Sequence, residues 1–458
     1  MKYKHVQHLY WRAGFGLTPK QTETLSKLDK TTVVKNLCIE SKQFTPLLVD
    51  TSELEGINPQ IIFKNPKKRK SFFDKSIEKV KALNYEWIER LAHPNELLRE
   101  KMTLFWANHF VCFDKNIFHV QQFNNTLREH ALGDFRDFVK AISKEAAMIK
   151  YLNLKQNKKQ EPNENFAREL LELFTLGMGH YKEEDIQESA RAFTGYDFEF
   201  NGEFRLKTKQ HDYGFKTFFG RMGRYNGDDI IDMILEQEQC ARFISEKIYR
   251  YFVNDKINSE HIELMVNQFY PNYNIDELMY FVFTSDWFYN EINIGTKIKS
   301  PIEYLVGIQQ IVPFQFKIPH DVLKVQKLLG QVLLYPPNVS GWKGGQNWID
   351  NNTIMLRLKL PSVFLSNAYI STHEKGDFSD SFKREFKKRG IKNKVFDTIP
   401  EWDIFNRYFK EISFDNMSEN LLLCPINEGT NQYLNDLSRI SKSDFCVQLM
   451  SLPEYQMC

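Results

Sequence analysis

The sequence is poor in the features that usually announce a function. It has six cysteines, Cys38, Cys112, Cys240, Cys424, Cys446 and Cys458, and no two stand at CxxC or zinc-finger spacing. Six scattered cysteines in 458 residues make no disulfide framework, so reduced thiols are expected. No run approaches the roughly 18 uncharged apolar residues of a membrane-spanning helix. The opening "MKYKHVQHLYWRAGFG" has no apolar core and no cleavage site of a secretory signal, which makes the cytoplasm the expected location. Neither sign of charge dominates: 61 basic and 59 acidic side chains leave +2. That balance calls for no nucleic acid and no membrane surface as partner. GxSxG, HExxH and a local Cys-His pair are all missing, so nucleophilic catalysis of the familiar kinds has no support.

What is present is the composition of a globular chain, 42% hydrophobic and 26% charged, with 38 phenylalanines promising a ring-rich core. Helical periodicity runs through most of it. Thr18 and Pro19 form a helix start, as N-cap and first helical residue. The basic stretch "KNPKKRKSFFDK" has no aromatic stacking platform and reads as a solvated loop or helix start. Helices are expected over about 77–153, as a pair at 163–195, over 229–335 and again from near Thr353. One interruption is different. "FEFNGEFRL" alternates about Asn201-Gly202 and predicts a hairpin at about 197–206 with a type I′ turn. The expected fold is therefore mainly α, a multi-helix globule with one small β-hairpin insertion. Its main domain should span 1–370, and a C-terminal extension, 371–458, should pack on it. Residues 372–395 are polar and lysine-rich and read as a linker or exposed loop.

The chemistry-bearing stretch is "PNENFARELLELFTLG", succeeded by "EDIQESARAFTG". On a helical wheel Ala167, Leu170, Leu171, Leu173 and Phe174 fill one arc, while Arg168, Glu169, Glu172 and Thr175 lie opposite. In the second helix Glu184, Glu188 and Arg191 share a face. Two readings are open. Both stripes can simply face water. Alternatively, antiparallel packing under a third element gathers carboxylates and arginines into a polar cluster, and buried charges must be paired or bind a metal. Glu169 and Glu172 would then act as metal ligands or acid–base groups, with Arg168 and Arg191 holding carboxylates or an anionic substrate.

Downstream, His211 and Asp212 can ligate a metal or move protons, and Lys216 can balance an anionic ligand. Glu172, Glu188 and His211 form the candidate set for a divalent metal ion. The loop "GRMGRYNGDD" is neither a Walker A motif nor GxGxxG, and reads as a structural turn with Asp228 capping the next helix. His109, in "FWANHF", reads as a satisfied core histidine. His8 and Arg12 stand at i,i+4, so either they share a helical face or His8 is a plain surface residue.

Several segments together resemble Domain of Unknown Function family 1800, an uncharacterised bacterial family. They are "HLYWRAGFG", "KMTLFWANHFV", "PNENFARELLELFTLGMGHYKEEDIQESARAFTGY", "QHDYGFKTFFGRMGRYNGDDIIDMIL", "ARFISEKIYRYFV", "KSPIEYLVG" and "PPNVSGWKGG". The resemblance implies that Arg168, Glu169, Glu172, Glu188, Arg191, His211, Asp212 and Lys216 belong to a shared pattern. It implies no reaction. Its genomic context implies a sulfatase-like protein as a candidate partner. The chain departs from the family pattern at Lys182, where Thr or Ser is usual as N-cap, at Ala107, at Tyr196 and at Glu145-Ala146. Two functions compete. One is a hydrolase-type enzyme with a Glu/Arg/His/Asp cleft, with or without help from a metal. The other is a non-catalytic accessory or binding protein whose charges form a structural network.

Overall fold

The computed structural model describes residues 1–366, 396–436 and 441–458. The linker expected at 372–395 and the domain boundary at 370 lie outside them. The fold is mainly α, with short two-stranded sheets. The helices used below are α1 (Tyr3–Arg12), α2 (Pro66–Ala92), α3 (Leu97–His109), α4 (Ile117–Glu129), α5 (Asn165–Glu169), α6 (Glu183–Ala192), α7 (Gly227–Leu235), α8 (Glu238–Phe252), α9 (Pro301–Ile311) and α10 (Asn351–Leu365).

Local chemistry sets where these helices begin. The basic run enters α2 directly: Asn65 accepts the Lys67 and Lys68 N–H groups, Pro66 takes the first position, and the lysines stay exposed. Below them Phe72, Val80, Leu83, Trp87 and Leu91 make the buried stripe. Two large hydrophobic clusters result. One gathers α3, α4, α5, α6, α7 and α8. The other gathers α2, α9 and α10 with Phe396, Phe405, Phe445 and Tyr455 of the C-terminal segment.

Among the described residues, three two-stranded antiparallel sheets replace the single hairpin read from the sequence. In the first, β1 (Tyr196–Phe198) pairs with β2 (Phe204–Leu206), where the hairpin is expected. Its turn is longer than a two-residue type I′. Glu199 N–H bonds the Glu203 carbonyl, and only Gly202, not Asn201, has positive φ. The second, β3 (Lys216–Phe218) with β4 (Arg221–Gly223), forms where the sequence predicts a plain turn. The third joins β5 (Phe314–Phe316) to β6 (Thr398–Pro400). Asn226, not Asp228, caps α7, accepting the N–H groups of Asp228 and Asp229; Asp228 pairs instead with Lys144. Asn226 wins because the chain is extended there, the geometry an N-cap needs.

A larger departure lies in the segment "LLELFT". After α5 the helix widens into a π-helical stretch over Leu170–Thr175, with Leu176 N–H reaching the Leu171 carbonyl five residues back. A wheel at the α-helical angle therefore misplaces the residues of this stretch. Thr175 is fully buried, its Oγ1 donating to the Leu170 carbonyl at 2.6 Å, while Leu173 is only half-buried. The carbonyls left open at this helix end find cationic or imidazole donors. Lys247 Nζ donates to Leu173 O at 2.8 Å, and His109 Nε2 lies 3.0 Å from Phe174 O. His109 is thus a satisfied core histidine, its pKa held well down by burial and by Lys247.

Candidate functional site

The charges of the two acidic helices fall into two groups, the first of which bridges α5 to the first residue of α6. Arg168, at the end of α5, holds Glu183 at 2.6 Å, Glu164 at 3.2 Å and Glu172 at 3.7 Å. Glu169 stands beside this group, its carboxyl raised by burial and by the neighbouring charge of Glu172. The group is half-exposed, and among the described residues no hydrogen bond or ion pair joins it to the second group.

The second group is built on α6. Lys182 gives this helix no side-chain cap, as its chemistry requires, but Asp185 reaches back to accept the Lys182 N–H at 2.8 Å. The other Asp185 oxygen accepts Phe219 N–H at 3.0 Å. One turn on, Glu188 accepts Thr217 N–H at 2.7 Å and is gripped by Arg191 Nη1 at 2.8 and 3.0 Å. Arg191 Nε then reaches Asp212 at 2.8 Å. Burial pushes the Asp212 carboxyl up, but Arg191 and the Gly214 N–H outweigh it and hold it below the usual carboxylate range. Lys216 is lowered by burial; its Nζ donates to the Asp212 carbonyl at 2.6 Å and the Gly214 carbonyl at 3.2 Å.

His211 sits behind this arrangement. Its Nδ1 lies 2.8 Å from the Thr194 carbonyl, an acceptor, so Nδ1 carries the proton. Thr194 Oγ1 also accepts Asp212 N–H at 2.8 Å, fixing His211-Asp212 against the end of α6. Gly195 makes that approach possible. It has φ +79, and a Cβ there would stand 2.8 Å from the Lys207 carbonyl and 3.0 Å from His211 N.

The structure therefore brings Glu188, Arg191, Asp212 and Lys216 together with His211 beside them, and leaves Arg168, Glu169 and Glu172 in a separate cluster. The set Glu172, Glu188 and His211 does not converge. Among the described residues no group of three or more His, Cys, Asp or Glu side chains is placed to hold a metal ion. Each carboxylate of the second group already has an arginine or main-chain N–H partner.

Between α6 and the β3–β4 hairpin lies an open groove of about 650 Å³. Lys182, Glu184 and Gln187 stand exposed on the helix side, and Phe215 on the other, 59% exposed with the Arg224 guanidinium 5.1 Å from its ring centre. Sequence reading missed Asp185, Thr194, Phe215 and Phe219. Asp185 was detectable, standing three residues after the N-cap position Lys182, where a capping carboxylate belongs. The aromatic pair in "GFKTFFG" becomes legible only once a hairpin is assigned there.

The fold and groove define a mainly helical protein whose charged motif secures a small β-hairpin beside an open surface cleft. The chain belongs to the family described as "Protein of unknown function (DUF1800)", which matches residues 8–457. Comparison with curated proteins and with solved structures finds no match. No helix among the described residues is long and apolar enough to cross a membrane.

Proposed function

We propose that the protein is a non-catalytic binding or accessory protein whose recognition surface is the groove between α6 and the β3–β4 hairpin. The observation that carries this reading is how the α6 carboxylates are used. Asp185 and Glu188 accept the Phe219 and Thr217 N–H groups, and Arg191 neutralises Glu188 and Asp212 together. Carboxylates used this way position a backbone; they have little capacity left for a metal or a proton relay. The hairpin they hold carries Phe215 at its base, a ring with more than half its surface free to contact a ligand. The family context suggests a sulfatase-like protein as the partner to try.

A paired measurement tests this. Native-purified wild type, Glu172→Gln, His211→Ala and Glu188→Gln are compared for bound metal and for amide exchange at Thr217 and Phe219. The expected result is negligible metal in all four, with exchange accelerated in Glu188→Gln. Stoichiometric metal in wild type, lost in Glu172→Gln and His211→Ala, would overturn the reading. The groove itself is tested by Phe215→Ser, which should weaken capture of the sulfatase-like partner without changing thermal stability.

A second reading keeps one specific support. Glu169 has its carboxyl raised by burial and by Glu172, the environment of an acid–base group. It would make the first cluster, not the groove, a hydrolytic site. Hydrolase activity abolished by Glu169→Gln but unaffected by Glu188→Gln would select it.

A further inference from the structure

A second site stands apart from the groove, at the turn of the β1–β2 hairpin, a motif to which the groove reading gives no role. This turn, the start of α4 and the chain just before α2 line an open depression of about 420 Å³, the size of a small-molecule site. Leu54, Ile57, Phe118 and Phe200 make it apolar. Glu55 lines it from one segment, and Glu199 and Glu203 from the hairpin turn. Among the described residues no lysine, arginine or histidine lines it.

Both sides of the depression are pinned. At the turn, the Phe200 carbonyl lies 3.1 Å from His119 Nε2 and accepts Asn116 Nδ2 at 3.3 Å, while the Phe200 ring packs on Phe72 with centres 5.1 Å apart. Gly202, at φ +101, lets the turn close onto α4: a Cβ there would stand 2.5 Å from Gln122 Oε1. On the other side, α4 holds the chain through Asn125 and Gln121, which accept the Leu47 and Val49 N–H groups at 2.8 and 2.7 Å. Thr51 Oγ1 donates to the Glu55 carboxylate at 2.8 Å, and Leu54 is buried. The shape is therefore set before a ligand arrives, which spares the cost of ordering it.

The charge of the lining has one sign and is only partly used. Arg205 pairs with Glu199 at 2.5 Å. Among the described residues the Glu203 carboxylate has neither an ion pair nor a hydrogen bond, and Glu55 has only the neutral Thr51 hydroxyl. Two uncompensated carboxylates beside an apolar wall repel anions and draw cations. A bare metal ion is a poor match, because no three carboxylate, imidazole or thiol groups converge and the apolar wall offers it nothing. The complement is a cation that carries its own apolar surface, and the phenylalanine rings favour it over a neutral molecule of the same shape.

We propose that this depression binds a small organic cation from solution, an ammonium or guanidinium group carried on an apolar body. The body rests against Ile57, Phe118 and Phe200, and the charge is held by Glu55 and Glu203. Neither the groove beside α6 nor the β3–β4 hairpin takes part.

The test follows the isoleucine methyl signals of the full chain by carbon-labelled NMR, with Ile57→Val assigning the reporter; Ile57 is 37% exposed and lines the site. Phenethylammonium and its neutral analogue phenethyl alcohol are titrated separately. The expected result is a saturable shift of the Ile57 signal with the cation, and binding about tenfold weaker with the alcohol, the combined worth of a few partly exposed charge contacts. Added salt should weaken the cation and leave the alcohol alone. Glu55→Gln combined with Glu203→Gln should remove most of the preference for the cation. Both side chains are exposed, so the remaining isoleucine signals should stay in place and show that the fold persists. No saturable shift with the cation overturns the proposal, as does a preference for the cation that survives the double substitution. A capped arginine peptide that binds more tightly than the free amine would assign the depression to a protein partner and overturn it as well.

Discussion

The groove beside α6 and the core around Glu303 use the same side chains under opposite conditions. At the groove, Arg191, Glu188 and Asp212 pair while still a fifth or so exposed, and water screens what they leave unsatisfied. In the core, Glu303 receives Lys101 at 2.5 Å and Lys297 at 3.2 Å with almost no solvent contact. Arg12, Lys299 and Arg357 lie buried nearby. Lys299 Nζ sits 3.9 Å from the Trp11 ring centre and 3.8 Å from that of Tyr455, while Arg357 reaches Gln456 and the Lys299 carbonyl at 2.7 Å. Burial lowers Lys101, takes Lys299 down to about 7, and is overcome at Glu303, which the two lysines hold well below the carboxylate range. The difference teaches that a charged motif's prominence in the sequence does not measure its leverage. The most conspicuous acidic stretch holds a surface hairpin, and scattered lysines hold the two halves of the core together.

The largest expected effect breaks this comparison at its buried end. Glu303→Gln leaves Lys101 and Lys297 sharing a neutral amide. Losing one partner of a buried pair costs about 3–5 kcal/mol. Urea denaturation should show it as a lower midpoint, whereas Glu188→Gln should move the midpoint by less than about 1 kcal/mol equivalent. Equal losses in the two variants would erase the distinction between surface and core.

Next in size is a pH effect at Glu145. Burial raises its carboxyl to about 7; Thr126 holds one oxygen at 2.6 Å, and the other has no partner. A folded pKa above the unfolded one means the native state binds the extra proton. Stability therefore falls as pH rises from about 4.5 to about 7 and stays reduced above that. Glu145→Gln mimics the protonated group. It should add about 1–3 kcal/mol at pH 8 and nothing at pH 4. Melting temperatures at the two pH values check it, and a gain that does not depend on pH would sink it.

These cases also show what the sequence makes legible. The helical class, the hairpin at β1–β2, the Thr18 cap and the satisfied His109 all derive from local spacing. The sequence also marks Glu188, Arg191, Asp212 and Lys216 as candidate site residues, but not their separation from Arg168, Glu169 and Glu172. Two kinds of fact stay hidden. The π-helical stretch at Leu170–Thr175 cannot be read from apolar periodicity, because the wheel presupposes the turn angle that the stretch violates. Long-range pairing hides as well: Lys101 meets Glu303 across 202 positions, and Arg357 meets Gln456 across 99. The lysine inside the apolar run "KMTLFWANHF" was the available signal, since a lysine there needs a buried acid.

The smallest expected effects sharpen the surface end of the comparison by separating local from global stability. Arg191→Lys keeps the charge but replaces a planar fork with a single ammonium, which cannot bridge Glu188 and Asp212 in the same geometry. The ion pairs are partly exposed, so the global loss should stay under about 1 kcal/mol. The local loss should be larger, because Glu188 would hold Thr217 N–H with no guanidinium fixing its carboxylate. Amide exchange at Thr217 and Phe219 should quicken several-fold while exchange in α8 stays unchanged. Arg168→Ala supplies the control. Among the described residues its partners Glu164, Glu172 and Glu183 form no ion pair with a strand residue, so it should leave the hairpin amides alone and shift the melting temperature least of all. If Arg168→Ala loosened Thr217 as much as Arg191→Lys did, the two acidic helices would act as one cluster after all, and the separate groove reading would fail.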